Sequence, residues 1–319
     1  MPRYDTYGSS RADLGVPFRE FDPNLIEAIA PQILPVVPVT KQAATMSVIT
    51  RESTLKRVDV KRAANGAYNR IEIEGKDKSY ACEEYALEGR VDDRKRAFYQ
   101  NDFDLEAETR DAIRAKLEME WDIRVATAVF NTTTWPSGTA ALFTDNSGSP
   151  WSTVATGIIG QVIAAKEKHR ENTGIMPNAL IIGAGSLQYL LTNTGIKAQF
   201  PGANLITLQM VQNALSSIFG LERLLVGSTR YDSADEGQTM TGADVWSSSY
   251  AMVARLATSS SLAEPCLGHT MQWTEGAPDV YTAEEYREEQ TSAQVLRLRH
   301  YLDEVIFDPY FGHLMQIEA

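Results

Sequence analysis

The run DLEAETRDAIRAKLEMEWDIRVATAVFN, residues 104–131, decides how the rest of the chain is read. It holds no Gly and no Pro and is rich in Ala, Leu, Glu and Arg, all good helix formers. Asp104 is placed to cap its start, and Glu106 and Glu108 put negative charge where the helix dipole favours it. Ile113, Leu117, Trp121, Val125 and Val129 recur every fourth residue, with Ala112 and Ala128 beside them, and make one apolar stripe. Arg110, Arg114, Glu118 and Asp122 fall on the opposite face. Such a helix spans roughly 40 Å, against an average of about three turns in globular proteins. One greasy side on so long a rod predicts a spine on which a sheet is laid.

Past the spine, Pro136, Gly138, Gly148 and Pro150 punctuate a turn-rich linker that marks a domain boundary. Short helices and strands then mix as in an α/β plate. Helices are expected over 151–169, with Ser152 as a cap, over 184–191, and over 205–219, closed by Gly220. Strands are expected over 179–182 and 224–226 and within 244–256, with a polar loop at 229–242. From residue 270 the chain returns to strands. Leu296, Leu298 and Leu302 alternate with Arg297, Arg299, Tyr301 and Asp303, so one face is apolar and suited to the spine's stripe.

Before the spine, Pro2, Pro17, Pro23, Pro31, Pro35 and Pro38 break residues 1–47 into an extended arm. Only 23–30 suits a short helix, with Asp22 as cap and Pro23 in its first turn. Ile33, Leu34, Val36, Val37 and Val39 need a cover, from the chain's own body or from a neighbour. Residues 48–80 read as a long hairpin around Asn65-Gly66, with Leu55, Val58 and Val60 on one limb and Tyr68, Ile71 and Ile73 on the other. Arg51, Lys56, Arg57, Lys61, Arg62 and Arg70 make it basic. So polar a ribbon is barely stable alone and needs support from outside.

With 319 residues, 43% of them hydrophobic and 23% charged, the chain can bury a large core, and its length alone predicts two domains. Its formal net charge of −12 argues against nucleic-acid binding as the main task. Cys82 and Cys266 stand far apart and read as reduced thiols, not a disulfide framework. Neither a signal peptide nor a membrane span is read, so synthesis in the cytosol is expected.

Motifs for catalysis do not assemble. Gly183-Ala184-Gly185 opens a helix after a strand, but Gln188 stands where a dinucleotide fingerprint needs its third glycine, and no fitting βαβ unit is read after it. His169, His269, His300 and His313 lack ligand spacing, and His300 falls on the packed face with Leu298 and Leu302. Glu83-Glu84, Asp92-Asp93, Glu284-Glu285 and Glu288-Glu289 are neighbours on strands and so point to opposite faces. They read as solvated charge or subunit contacts. No catalytic residue, cofactor or metal ligand is nominated.

The order of arm, charged hairpin, spine helix, α/β plate and return strands resembles the tailed-bacteriophage major capsid protein, with its HK-ninety-seven-like fold shared by encapsulin shells. The stretches YACEEYALEGRVDDR, PNALIIGAGSLQYLL, LERLLVG, DVWSSSYAMVA and REEQTSAQVLRLRHYLDEVIFDPYFGHLM are similar to ones common in that class. The resemblance implies a mixed α+β fold with an N-terminal arm (1–47), an E-loop hairpin (48–80), a peripheral domain (81–132 and 270–319) and an axial domain (133–269). It implies a homo-oligomer of hexameric and pentameric capsomers that encloses phage double-stranded DNA without reading its sequence, in a virion assembled in the host cytoplasm. Portal and decoration proteins, and a separate scaffolding protein since no helical scaffolding segment precedes the arm, are the implied partners. An encapsulin-like nanocompartment is the alternative. The basic hairpin residues Arg57, Lys61, Arg62 and Arg70 are then expected to meet Glu284, Glu285, Glu288 and Glu289 of an adjacent copy.

Overall fold

The computed structural model describes residues 28–62, 66, 68–99, 104–135, 142–200, 207–214 and 219–318. The first described element is a single helical turn, Ala30–Ile33 (α1), followed by strand Val36–Val39 (β1). Most of the helix expected over 23–30 lies outside the described residues; Ala28 and Ile29 are not helical, and the described turn starts at Ala30 with Pro31 in its first turn. Strand Ala43–Ile49 (β2), helix Arg51–Leu55 (α2) and strand Gly75–Ala81 (β3) come next. Strand Glu83–Asp92 (β4) and helix Asp93–Tyr99 (α3) lead into the spine, Leu105–Val129 (α4).

The spine forms where its sequence places it. Asp104 caps it by accepting from the N–H groups of Glu106 (3.0 Å) and Ala107 (3.2 Å). Its 25 residues are about 37 Å of rod. Ile113, Leu117, Trp121, Val125 and Val129 are buried as expected, but Ala115 and Ala126, not Ala112 and Ala128, complete the stripe. Asp122 departs further: it was placed on the solvent face and is fully buried.

After the spine come strand Phe143–Asp145 (β5) and helix Ile158–Thr173 (α5), then strand Ala179–Gly183 (β6) and helices Ala184–Thr192 (α6), Thr194–Lys197 (α7) and Leu208–Ala214 (α8). The helix expected from residue 151 starts at Ile158, because turns at Thr153 and Thr156 occupy the intervening chain. Ser152 does not cap it; its N–H and hydroxyl both go to Glu318. Gly174 ends α5 at φ +74°, the left-handed position that glycine tolerates best. Strands Arg223–Gly227 (β7), Arg230–Asp232 (β8), Gly242–Asp244 (β9) and Tyr250–Ala254 (β10) follow. The 229–242 stretch is therefore not all loop: β8 and β9 pair across it. Gly268–Trp273 (β11), Thr282–Glu288 (β12), Ala293–Ile306 (β13) and Gly312–Gln316 (β14) close the chain.

Two five-stranded sheets organise these elements. In the first, the 14-residue β13 is central. It carries β4 along one edge, and β12 and then β11 along the other; β1 adds in parallel to β11. In the second, the order is β5-β14-β10-β6-β7. The final strand β14 thus leaves the spine-side sheet and joins the plate, although 270–319 was read as one spine-side block.

The second sheet is covered on both faces, and its strands alternate accordingly. Ile181, Met252, Ala254 and Leu314 face a core shared with Trp121, Val125 and Val129 of α4. Leu180, Ile182, Ala251, Val253 and Met315 face Ile158, Val162 and Ala165 of α5 and Leu190 of α6. The N-terminal half of α4 serves the first sheet instead, with Ile113 and Leu117 on Leu298. One helix therefore has buried contacts with both sheets. Gly89 of β4 makes its seat: a Cβ there would stand 2.3 Å from Thr109 and 2.9 Å from Ile113.

The apolar part of the arm is covered by its own body. Ile29, Ala30, Ile33 and Leu34 are buried in the main core, and Val37 in a smaller one with Met271 and Val305. Residues 1–27, the remainder of that arm, lie outside the described residues.

Candidate inter-subunit surfaces

The charged hairpin has a firm base and an unsupported end. β2 and β3 pair antiparallel from Ala43↔Ala81 to Ile49↔Gly75. At the base, Tyr80 and Cys82 are buried with Val37, Met271 and Val305, and the Asp303 carboxylate accepts from Ala81 N–H at 2.8 Å. Further out, Arg51 lies 3.7 Å over the Tyr310 ring and donates to the carbonyl of Asn172.

Beyond this point the expected limbs do not form strands. Leu55 ends helix α2, capped when Thr50 accepts from Ser53 N–H. Residues 56–62 and 68–74 carry no ladder. Thr50 and Ser53, at the start of α2, tie to Glu72 and Glu74 through isolated hydrogen bonds. The reason is that a charged pair of limbs with no third layer has too little apolar area to hold a ladder. Asn65 of the expected turn lies outside the described residues.

This excursion leaves apolar surface in water. Ile49, Leu55, Tyr68, Ile71 and Ile73 are exposed, and Val60 is 91% so. Residues 56–70 hold five basic side chains and one acidic, a net of +4 on a chain of −12. Arg57, Lys61, Arg62 and Arg70 are all exposed. Arg62 lies 4.2 Å over Tyr68 and donates to the Gly66 carbonyl at 2.7 Å.

The acidic residues nominated as their counterparts have partners in their own chain. Glu284 meets Arg299 at 2.5 Å and Arg297 at 3.6 Å across β12 and β13. Glu285 accepts from Gln294, Glu288 faces Arg90 at 4.0 Å, and Glu289 meets Arg287 at 3.4 Å. Arg297 also binds Glu88 of β4, and Arg287 meets Asp93 at 2.7 Å. Glu88, Glu284, Arg297 and Arg299 thus make a ladder of crossed ion pairs on the face of the first sheet away from α4. Arginine holds the Glu88 and Asp93 carboxyls below their ordinary range.

Asp122 is the polar centre of the molecule, and the periodicity reading missed it. Its Oδ1 accepts from the N–H groups of Ile29 (3.1 Å) and Ala30 (2.8 Å), the free donors at the start of α1. Its Oδ2 accepts from the Thr229 hydroxyl (2.5 Å) and Trp246 Nε1 (2.9 Å). One carboxylate fastens the arm, the spine and two loops of the plate. Burial raises its pKa, and these four donors pull it back part of the way. A signal was present: Ala115, Asp122, Ala126 and Val129 are spaced by seven, four and three, a second line on the same buried face.

The Gly183-Ala184-Gly185 turn serves packing. A Cβ on Gly183 would stand 2.4 Å from the Trp246 carbonyl, and one on Gly227 would stand 2.1 Å from the Trp246 ring. These two glycines are register partners in β6 and β7. They form the slot that holds Trp246 against Asp122. A βαβ unit does exist here, since β6 and β7 are parallel with α6 to α8 between them, contrary to the sequence reading. Its glycines pack on Trp246 and the residues after it: Gly227 on the ring, Gly183 on the backbone carbonyl, and Gly185 on Ser248. Among the described residues, no three or more His, Cys, Asp or Glu gather as a metal site. Cys82 and Cys266 are buried free thiols, both pushed up to about 11 chiefly by burial.

Comparison of whole folds identifies the architecture. A phage-related protein from Bordetella bronchiseptica is similar over 91% of each chain, with a TM-score of 0.69 and 19% identity. The capsid of a native GTA particle matches over 94% of each chain, with a TM-score of 0.61 and 12% identity. This is the fold of a phage capsid subunit. A prophage capsid protein from E. coli, described as a putative one, matches 93% of this chain and 95% of its own, with a TM-score of 0.52 and 10% identity. No family profile matches the sequence, and no curated protein does. Among the described residues no helix is long and apolar enough to cross a membrane.

Proposed function

We propose that this chain is a major capsid protein, a non-enzymatic subunit that self-assembles into hexamers and pentamers around a phage double-stranded DNA genome. The observation that carries the reading is the 49–73 excursion: a basic, apolar-studded extension on a capsid fold, with its large hydrophobic side chains left in water. Such a surface is stabilised when an adjacent copy covers it. Repeated around a ring, contacts that are individually weak add up through effective concentration.

Arg57, Lys61, Arg62 and Arg70 are the side chains proposed to meet the neighbour. Glu284, Glu285, Glu288 and Glu289 stay candidates for the acceptor; meeting the loop would mean sharing or exchanging their in-chain partners. Residues 1–47, 48–80, 81–132, 133–269 and 270–319 are proposed as arm, E-loop, spine-side, axial and return segments, with β14 paired to the axial sheet. Scaffolding, portal and decoration proteins are the proposed further partners, and the virion the proposed location.

Electron microscopy of the purified full chain tests this. Shells or rings are expected, with DNA inside particles made during infection. A uniform monomer at all concentrations overturns the shell reading. Particles filled with a cargo enzyme in place of DNA point to the encapsulin-like alternative.

A further inference from the structure

At the seam between α4 and β13 lies a titratable group that the shell reading does not use. His300 is 1% exposed, and neither of its ring nitrogens has a hydrogen-bond partner. Three rings enclose it: Tyr281 at 5.5 Å, Tyr85 at 5.6 Å and Trp121 at 6.3 Å between centroids. Trp121 Nε1 and the Tyr281 hydroxyl are buried without partners as well.

The charges around this cage are already committed. From α4, Arg124 lies 3.7 Å over Tyr85 and pairs with Glu304 of β13 at 2.8 Å. Also from α4, Arg114 lies 5.5 Å over Tyr281 and pairs with Glu118 at 2.8 Å. On the β4 side, the Tyr85 hydroxyl donates to Glu83 at 3.4 Å. On His300's own strand, Arg299 turns to the other face, toward Glu284. Among the described residues no carboxylate bonds to the imidazole.

We propose that His300 is an acid-operated latch on the spine: neutral, its ring completes the aromatic cage that seats α4 on the first sheet; protonated, it forces that seat open. The charged ring carries two N–H donors that find no acceptor in the cage, and it brings a second cation toward Arg124. Burial first, and Arg124 second, push its pKa down to about 4. An exposed histidine titrates near 6.5. The opened state therefore takes up the proton first as pH falls. The seam has its full stability above that value and loses it progressively toward pH 4. Asp122 moves the other way, since its folded pKa is raised, so substitution at residue 300 separates the two effects. The latch belongs to the single chain and does not depend on the shell reading.

Amide hydrogen exchange of the full chain at pH 7 and pH 5, corrected for intrinsic rates, tests it. In the wild type, peptides spanning 113–125 and 296–302 should open about 20-fold more readily at pH 5 than at pH 7, the ratio set by the two pKa values. His300→Phe and His300→Leu fill the cage without titrating and should hold that change below about threefold. Equal acid acceleration in wild type and variants overturns the proposal. Should neither variant fold, exchange of the His300 ring C–H in the wild type reads its pKa directly. A value below about 5 supports the latch, and one at or above that overturns it.

Discussion

Asp122 shows how much one buried side chain can organise. Two of its four donors are backbone N–H groups, and a third is an indole, none of which can accept a proton in return. The ionised carboxylate therefore suits the site, although burial opposes its charge. Asp122→Ala orphans all of these donors and should cost about 2–4 kcal/mol, at roughly 1–3 kcal/mol for each buried unsatisfied group with part of the loss recovered by relaxation. Chemical denaturation midpoints measure it. Asp122→Asn keeps the shape but turns an NH₂ toward donors, so a loss intermediate between wild type and Asp122→Ala is expected. By the sign of its raised pKa, Asp122 adds most to stability at low pH, and that contribution is lost as pH rises through its folded value.

Among the elements, α4 depends on a close approach and the 49–73 excursion on the lack of one. Gly89 lets the spine reach β4, and Thr109 and Ile113 fill the space a side chain would take. Gly89→Val should destabilise the chain by roughly 1–3 kcal/mol, as overpacking does, and lower the thermal midpoint. The excursion behaves in the opposite way. Ile71→Asp combined with Ile73→Asp touches exposed positions, so the isolated subunit should change by no more than ~0.5 kcal/mol. Assembly, read by sedimentation, should be lost. Full assembly by that variant would show that the excursion is not an interface.

For the molecule as a whole, charge is divided between two uses. The crossed pairs on the outer sheet face are half-exposed and contribute little each, so Arg297→Ala should barely move the denaturation midpoint. The basic tip is set against an acidic body, and under the proposed function its contribution would lie between copies. Replacing Arg57, Lys61 and Arg62 by Glu should abolish or slow assembly while leaving subunit stability unchanged. Raising ionic strength from 0.1 to 1 M shortens the screening length from about 10 Å to 3 Å and should slow wild-type assembly in the same direction. Assembly that ignores both changes would remove the basic tip from the interface.

The spine, the alternating β13, the packed His300 and the order of elements were legible along the chain, because helix and strand periods repeat locally and record which face is buried. The nominated hairpin residues were legible as charge, and the structure leaves them exposed. Contacts made at long separation were not legible: Asp122 meets residues 92 to 124 positions away, and β14 crosses to the other sheet. The fate of the limbs around Val58 and Ile71 was equally hidden, since strand-forming side chains make a ladder only where a third layer covers them. Local pattern set the type of each element and the face it buries; three-dimensional packing set its partners, because a partner's hydrogen bonds and volume come from parts of the chain that no short window contains.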